Sequence, residues 1–446
     1  MFCDFDEKRK EKNVAVWGCG QNAKTKYKFI LDYIKPVVII DKREIAEDNC
    51  FSCSGIPCIK PEKMKDYNID IIIISIEDNY IFKQIESLVS GKYHIYSLNQ
   101  IWDYRQIEAQ KNIDFGEESS EIKHFSCEIG SCICNMNCSY CYVDFSDPKL
   151  KHSAQFPHSI EYMLKAVSRK RLGGVAFFNM CGEGETLLKP GYIELVKGLL
   201  ADGHYVGIIT NGTVESKINE LILLNEDLKK RLLVQCSIHY LELKKQNKLD
   251  IYFDIINKLK KNHISVCMTM PGADEYIPYI EEIKNKCLNK TGMLPVISPI
   301  RRETNFNEEF PLGSRLSWKE YYKVWEPFKS NAFEMRSKTL GKFEGLCYSG
   351  ISSAWINFVT GEIRTCIPGE RMDNIYDDIT RKINLKKESH KCPYGFCSHN
   401  NLFLSGRQIG DDTLLTGYQN FINKDEQGNS TYTEEMRKAT DYCCNY

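Results

Sequence analysis

Two long stretches of the chain alternate short apolar runs with segments of helical periodicity. In the first stretch, apolar runs at 14–17, 37–40 and 69–75 predict buried strands, and 79–90 has the periodicity of an amphipathic helix. In the second, helical patterns separate six apolar runs, at 125–129, 175–180, 205–210, 232–238, 264–270 and 295–300. This alternation predicts parallel sheets with helical connections, an α/β fold.

The same patterns divide the chain into four parts. Residues 1–105 are expected to form a Rossmann-like βαβ domain and 106–123 a polar linker. Residues 124–305 are expected to form a partial (βα)6 TIM-like barrel, with its site at the carboxyl ends of the strands. Residues 306–446 predict a linker and a small domain with a β-hairpin and spaced cysteines.

Composition narrows the function class. The net charge of −1 creates no overall attraction to nucleic acid or an anionic membrane. The longest apolar run, Ile71–Ile74, is too short to cross a bilayer, and the N-terminus lacks the apolar core of a secretory signal. We therefore expect a cytoplasmic protein that binds neither nucleic acid nor membrane. In such a protein, 20 cysteines favour metal or cluster ligation over disulfides, although free cysteines also pack as small hydrophobes.

Three cysteines follow the first strand of the predicted barrel, as Cys134-x3-Cys138-x2-Cys141. Thiolates at this spacing can hold an iron–sulfur cubane, and three of them leave one iron open to a further ligand. A structural zinc site would need a fourth protein ligand. The probability of a chance match is roughly 4% at this cysteine content, so the assignment depends on other segments.

Those other segments resemble the radical S-adenosylmethionine (SAM) superfamily over about residues 124–300. An aromatic residue, Tyr140, precedes the last cysteine of the motif, as it does in that family. At the end of the second barrel strand stand Gly184 and Glu185, where the family holds the amino group of SAM. Thr186 stands where the family often has proline.

Two further strand ends extend the resemblance. Thr210 and Asn211 begin a polar turn after the third strand, like the one found there in many members. Ser237, after the fourth strand, is carried over as a ribose contact. His239 is a candidate catalytic residue or a hydrogen-bonded core histidine. Alternatives stay open for three other residues: Glu185 could be a surface acid, Asn211 could belong to a plain turn, and Ser237 could make no ribose contact.

The resemblance implies the cofactors and the reaction. A [4Fe-4S] cluster on the three cysteines would bind SAM at the open iron. Reduced by a donor such as a flavodoxin or ferredoxin, it would cleave SAM to methionine and a 5′-deoxyadenosyl radical. That radical would abstract hydrogen from a small-molecule or peptide substrate.

The C-terminal cysteines predict a second cluster. Cys347-x13-Gly-x4-Cys366 is typical of a hairpin whose glycine turn brings two thiols together, and Cys392 and Cys397 follow. The pattern resembles the auxiliary-cluster domains called SPASM or, when shortened, twitch. It implies one [4Fe-4S] cluster on these four cysteines that transfers electrons, because four thiolates leave no open iron. Structural zinc and unligated thiols stay open alternatives, and Cys443-Cys444 is taken as a pair of tail thiols.

The N-terminal domain carries a short glycine motif. Gly18 and Gly20 follow its first strand, and Asp41 lies 23 residues beyond Gly18, near where a ribose-binding acid is expected. The domain resembles modules attached to nucleotide-sugar and surface-polysaccharide enzymes. Such modules bind a nucleotide sugar, bind NAD or have lost their ligand. Three cysteines of this domain could hold a metal or serve only as packing or exposed thiols: Cys50, Cys53 and Cys58.

The sequence leaves two substrate classes open, a sugar or nucleotide-linked intermediate and a peptide. The N-terminal domain favours a sugar or nucleotide-linked intermediate, and the auxiliary domain suggests a peptide, as in radical SAM maturases. Arg301 and Arg302, at the end of the sixth barrel strand, are candidates for an anionic substrate group or are surface charges. The alternative from another class is a non-catalytic zinc or iron–sulfur regulator with a nucleotide sensor.

Overall fold

The computed structural model describes residues 4–44, 49–141, 143, 155–301, 310–330, 333–334, 346–397 and 430–442. Arg302, Cys443 and Cys444 lie outside these residues. The chain forms two compact units. Unit 1 consists of residues 1–114 with 155–166 and 376–381, and unit 2 consists of the remainder.

Unit 1 is built on a five-stranded parallel sheet in the order β3-β2-β1-β4-β5. Its strands are β1 (Val14–Trp17), β2 (Val38–Ile40), β3 (Cys58–Ile59), β4 (Ile71–Ile74) and β5 (His94–Ser97). Its helices are α1 (Phe5–Lys8), α2 (Gln21–Thr25), α3 (Tyr27–Phe29), α4 (Asn79–Val89), α5 (Leu98–Gln110) and α6 (Ile160–Ala166), with a π-helix at Ile30–Ile34 and a 3₁₀ helix at Pro61–Asp66. This strand order is typical of nucleotide-binding doubly wound sheets.

The central strands of unit 1 are apolar throughout because both faces of the sheet are covered. Every residue of β1 and β4 is buried, and their side chains divide between two separate apolar clusters. Asp78 starts α4 by accepting hydrogen bonds from the backbone N–H groups of Tyr80 and Ile81. The predicted strand at 14–17 has the expected bounds, and β4 is shorter at both ends than the apolar run 69–75.

Unit 2 contains a nine-stranded sheet in the order β11-β10-β9-β8-β7-β6-β13-β14-β15. Its strands are β6 (Ser119–Glu128), β7 (Gly174–Cys181), β8 (Tyr205–Thr210), β9 (Leu232–Ser237), β10 (Ser265–Pro271), β11 (Val296–Ser298), β13 (Ser353–Asn357), β14 (Glu362–Arg364) and β15 (Arg371–Asn374); β12 (Leu346–Cys347) and β16 (His390–Lys391) form a separate pair. Strands β6 to β11 are parallel neighbours in chain order, which is the expected partial barrel.

Helices connect these strands. They are α7 (Arg169–Leu172), α8 (Tyr192–Ala201), α9 (Glu215–Ile222), α10 (Glu226–Lys229), α11 (Tyr240–Lys245), α12 (Leu249–Lys261), α13 (Ile280–Thr291), α14 (Trp318–Trp325) and α15 (Glu434–Tyr442), with 3₁₀ helices at Thr186–Leu188, Asp274–Tyr279 and Glu326–Phe328. Within the described ranges, no helix has the length and apolar character needed to span a bilayer.

Two features differ from the expected organisation. The predicted linker over 106–123 contains the end of α5 and the first half of β6, because its polar residues lie on a helix and a strand. The predicted hairpin forms as β13 and β14, but β13 pairs in parallel with β6, so the hairpin extends the barrel sheet. No local pattern specifies that long-range pairing.

One face of the barrel sheet changes character along the strands. At the amino ends it carries an apolar cluster that includes Phe177, Leu233 and Cys267, packed against Met436 of α15. Side chains two residues further along a strand return to the same face. There the sheet carries Asn179 and Gln235, whose amides hydrogen-bond at 2.8 Å. The carboxyl half of this face is therefore polar.

Candidate active site

The three predicted cluster cysteines lie in the cluster loop (residues 129–141), which follows β6. Cys134 and Cys138 are half-buried and Cys141 is exposed. Burial, together with the neighbouring Cys134 and Cys141, raises the pKa of the Cys138 thiol to about 12. The structure thus brings these thiols together at the carboxyl end of β6. A bound metal supplies the positive charge that such thiols need to become thiolates.

The cluster loop is hydrogen-bonded to the glycine loop (Gly182–Glu185), which follows β7. The backbone N–H of Cys132 donates to the Glu183 carbonyl at 2.6 Å, and the N–H of Glu185 donates to the Ile133 carbonyl at 2.7 Å. Gly184 has φ +116°, and a Cβ atom there would lie 2.4 Å from the Ile133 carbonyl oxygen. Glycine is therefore required where the two loops approach.

Glu185 ties the glycine loop to the turn after β8. Its carboxylate is 1% exposed and accepts from the Thr210 hydroxyl at 2.7 Å, the Asn211 N–H at 2.6 Å and the Leu187 N–H at 3.1 Å. Burial raises its pKa, and these hydrogen bonds oppose the increase. A carboxylate offers about four acceptor positions, so one remains for a ligand.

Asn211 extends this network to the cluster loop. Its side-chain amide donates to Asn135 Oδ1 at 2.7 Å and lies 4.0 Å from Cys134 Sγ. Asn135 in turn donates to the Thr213 hydroxyl at 2.9 Å. Sequence reasoning did not identify Asn135, because it occupies a variable position of the cysteine motif and its partner is 76 residues away.

Tyr140 lies in a second polar group beside the cysteines. Its hydroxyl is 2.6 Å from His239 Nδ1 and 2.7 Å from the Tyr276 hydroxyl, and it also hydrogen-bonds with Cys138. Burial lowers the pKa of His239 to about 4, so its imidazole is neutral. Ser237 contacts the Thr269 hydroxyl at 3.1 Å. Tyr276, on a 3₁₀ helix after β10, carried no recognisable sequence signal.

Charged groups gather at the carboxyl ends of β6 and β7. Burial raises the pKa of the Cys181 thiol, Glu128 raises it further, and the positive charge of Arg301 opposes the increase. Glu128 is the register partner of Cys181 and accepts from the Gly130 N–H at 3.0 Å. Lys189 donates to the Gly130 carbonyl at 2.9 Å. Arg301 therefore belongs to this end of the barrel, together with Glu128, which sequence reasoning missed.

Glu128 predicts a pH-dependent stability. Burial raises its pKa from 4.5 to about 7, Glu183 repels its charge, and Lys189 and the backbone N–H groups of Gly130 and Glu183 oppose the increase. The folded state keeps a proton that the unfolded chain releases, so this stabilisation is complete below pH 4.5 and lost as pH rises through 7. We expect Glu128→Gln to raise the melting temperature relative to wild type by about 3–6 °C more at pH 8 than at pH 4.5.

Thermal unfolding of the apo chain, followed by circular dichroism at both pH values, checks this expectation. Glu117→Gln is the matched control, because Glu117 is an exposed acid of the same unit. The same pH dependence in wild type and the Glu128 variant would contradict the assignment.

The auxiliary cysteines are placed by the small β12–β16 pair and the hairpin. Cys366 follows β14. Burial, together with the neighbouring Cys347 and Cys392, raises the pKa of its thiol to about 12. These three thiols are close enough to interact. Cys397 is half-buried and lies five residues beyond Cys392.

Both cysteine groups differ from a single-ion site. In the part of the chain that the structure describes, no three His, Cys, Asp or Glu side chains converge as ligands of one metal ion. The thiolates of a cubane bind different iron atoms, so they stand further apart than the ligands of one ion. Within each group, the thiols lie near enough to interact electrostatically. In unit 1, Cys53 and Cys58 are exposed and Cys50 is half-buried.

The glycine motif of unit 1 is engaged internally. Gly18 has φ +102°, and a Cβ atom there would lie 2.7 Å from Ser75 Oγ. Asp41 Oδ2 accepts from the Cys19 N–H at 3.0 Å and from Arg43 Nη2 at 3.2 Å. Its Oδ1 accepts from the Arg43 N–H at 2.9 Å and from Arg43 Nε at 3.2 Å. Burial raises the pKa of Asp41, but hydrogen bonds from Arg43 and Cys19 outweigh it and hold the pKa below its ordinary value. Both carboxylate oxygens are thus occupied by the domain's own groups.

One family model and several solved structures are similar to parts of this chain. The family model described as Radical SAM superfamily matches residues 129–286. No curated protein matches the chain significantly in sequence. Among solved structures, native anSMEcpe with bound AdoMet is 16% identical, with 57% of this chain and 78% of that chain covered and a TM-score of 0.41. Streptococcus suis SuiB bound to S-adenosylmethionine is 11% identical, with 67% and 73% covered and a TM-score of 0.39.

Proposed function

We propose that this chain, whose residues 129–286 match the Radical SAM superfamily model, holds a [4Fe-4S] cluster on Cys134, Cys138 and Cys141 and binds SAM beside it. When bound and reduced, such a cluster supplies the electron that cleaves SAM to methionine and a 5′-deoxyadenosyl radical. The main support for the proposal is that backbone hydrogen bonds join the cluster loop to the glycine loop. These hydrogen bonds place the buried Glu185 carboxylate near the cluster loop, which carries the three thiols.

The residues around the cluster loop then take defined roles. Glu185 would accept a hydrogen bond from the ammonium group of SAM. Thr210 and Asn211 hold the Glu185 carboxylate in place by donating hydrogen bonds to it. Asn211 also orients its amide towards the Cys134 sulfur. Tyr140 is held by His239 and Tyr276, which fixes the aromatic ring next to Cys138. Ser237 is a ribose contact.

An auxiliary [4Fe-4S] cluster in the C-terminal part would transfer an electron from the substrate radical. Three interacting thiols support it: Cys347, Cys366 and Cys392. Arg301 would meet an anionic group of the substrate, because it lies at the carboxyl ends of the barrel strands. A flavodoxin or ferredoxin would supply the first electron.

For the substrate we favour a peptide over the sugar or nucleotide-linked intermediate expected from the sequence. The reason for a nucleotide-linked substrate was the glycine motif of unit 1, and there Asp41 is already paired with Cys19 and Arg43. A ribose would have to displace Arg43 from that carboxylate. One of the similar structures is Streptococcus suis SuiB bound to precursor peptide SuiA.

The reaction is tested by metal content and SAM cleavage. The anaerobically purified chain should contain about eight irons per molecule for two cubanes. After reduction with dithionite, the chain should convert SAM to 5′-deoxyadenosine. Liquid chromatography detects that product. Zinc with little iron and no 5′-deoxyadenosine would support the non-catalytic regulator instead.

The substrate class is tested separately. We expect no binding of NAD or UDP-glucose to the full chain by isothermal titration calorimetry, because the acceptor that would bind ribose is used internally. Saturable binding of either nucleotide, lost in Asp41→Ala but kept in Asp78→Ala, would instead support a nucleotide-linked substrate. Asp78 is the half-buried N-cap of α4 and follows β4, the strand next to β1 in the same sheet.

A further inference from the structure

His390 stands directly opposite Cys347. Strands β12 and β16 are antiparallel, with Leu346 paired to Lys391 and Cys347 paired to His390. Directly opposed side chains of an antiparallel pair leave the same face, with Cβ atoms about 4.5–5.5 Å apart. Cys392 lies two residues beyond His390, and strand alternation returns it to that face. Cys347 and Cys392 indeed interact electrostatically. The imidazole therefore shares one face with two of the auxiliary thiols.

The imidazole also has an unused ligating atom. Nδ1 of His390 is buried and has no hydrogen-bond partner among the residues that the structure describes. The charged side chains that act on the ring are Lys386 and Glu370, and these form an ion pair with each other. A buried nitrogen without a partner costs free energy unless a ligand pairs with it. The lone pair of a neutral imidazole is a common metal ligand.

We propose that His390 binds one iron of the auxiliary cluster, alongside Cys347, Cys366 and Cys392, with Cys397 outside the ligand set. The inference rests on the auxiliary cluster proposed above. A neutral nitrogen ligand in place of a thiolate makes the cluster less negative and raises its reduction potential. Such a cluster accepts an electron from a substrate radical more readily than an all-thiolate one.

The test isolates the auxiliary cluster in the full chain. The Cys134→Ala, Cys138→Ala, Cys141→Ala triple variant removes the thiols of the SAM cluster and should keep about four irons. After reduction, pulsed electron paramagnetic resonance should show strong coupling to one ¹⁴N nucleus, which changes to the ¹⁵N pattern when histidine is ¹⁵N-labelled. Adding His390→Cys should keep the iron, remove the nitrogen coupling and lower the reduction potential.

Cys397→Ala is the matched control and should keep both the iron and the nitrogen coupling. Absence of nitrogen coupling in the triple variant would overturn the inference. Loss of iron in Cys397→Ala with unchanged spectra in His390→Ala would identify Cys397 as the fourth ligand instead. A triple variant with zinc or no metal would remove the auxiliary cluster, and the inference with it. Cleavage of SAM by the unmodified chain reports independently on the proposed reaction.

Discussion

Replacing Cys138 with alanine is expected to lower the rate of SAM cleavage by at least about 100-fold, since loss of an outer-shell contact alone costs a metal site 10–100-fold. Cys138 lies between Cys134 and Cys141 on one loop, and its thiol interacts with both neighbours and with Tyr140. Two remaining thiolates cannot hold the cubane with a single open iron. The iron content should fall by about four per chain, and 5′-deoxyadenosine formation under dithionite should disappear.

Two other cysteines serve as controls for this result. Cys53 is exposed and lies in unit 1, so Cys53→Ala should leave both iron content and cleavage unchanged. Cys366→Ala should lose the iron of the auxiliary cluster and keep part of the SAM cleavage, because that cluster acts after the cleavage step. If Cys138→Ala cleaved SAM at the wild-type rate, the cluster loop would not hold the cluster that cleaves SAM.

Replacing Gly184 with alanine is expected to weaken SAM binding by about 10–100-fold, as the loss of a supporting contact does at other sites. The added Cβ atom would lie 2.4 Å from the Ile133 carbonyl oxygen, at a residue with φ +116°. The glycine loop would have to move away from the cluster loop, and Glu185 would move with it. Equilibrium dialysis of SAM with the reconstituted protein measures this loss.

Gly292→Ala is the matched control for that substitution. Gly292 also has a positive φ, +71°, but a Cβ atom there would meet nothing within 4 Å. It therefore introduces the backbone strain without the collision, and SAM affinity should stay at the wild-type value. Equal losses of affinity in the two variants would show that strain, rather than the contact between the loops, determines SAM binding.

The order of the elements followed from local patterns. Apolar runs such as Tyr205–Thr210 predicted the barrel strands closely, because a parallel strand covered on both faces is apolar along most of its length. The cysteine spacing and the Gly184-Glu185 pair located the candidate site, since residues of one short loop stay near each other whatever the rest of the chain does.

The sequence by itself therefore determined the α/β class, the six barrel strands and the loop that carries Cys134, Cys138 and Cys141. Only the tertiary structure decided which distant groups meet them. It joined Asn135 to Asn211, placed Tyr276 on Tyr140 and set His390 against Cys347. These contacts span 43 to 136 residues, and they depend on strand register and packing, which no local periodicity encodes.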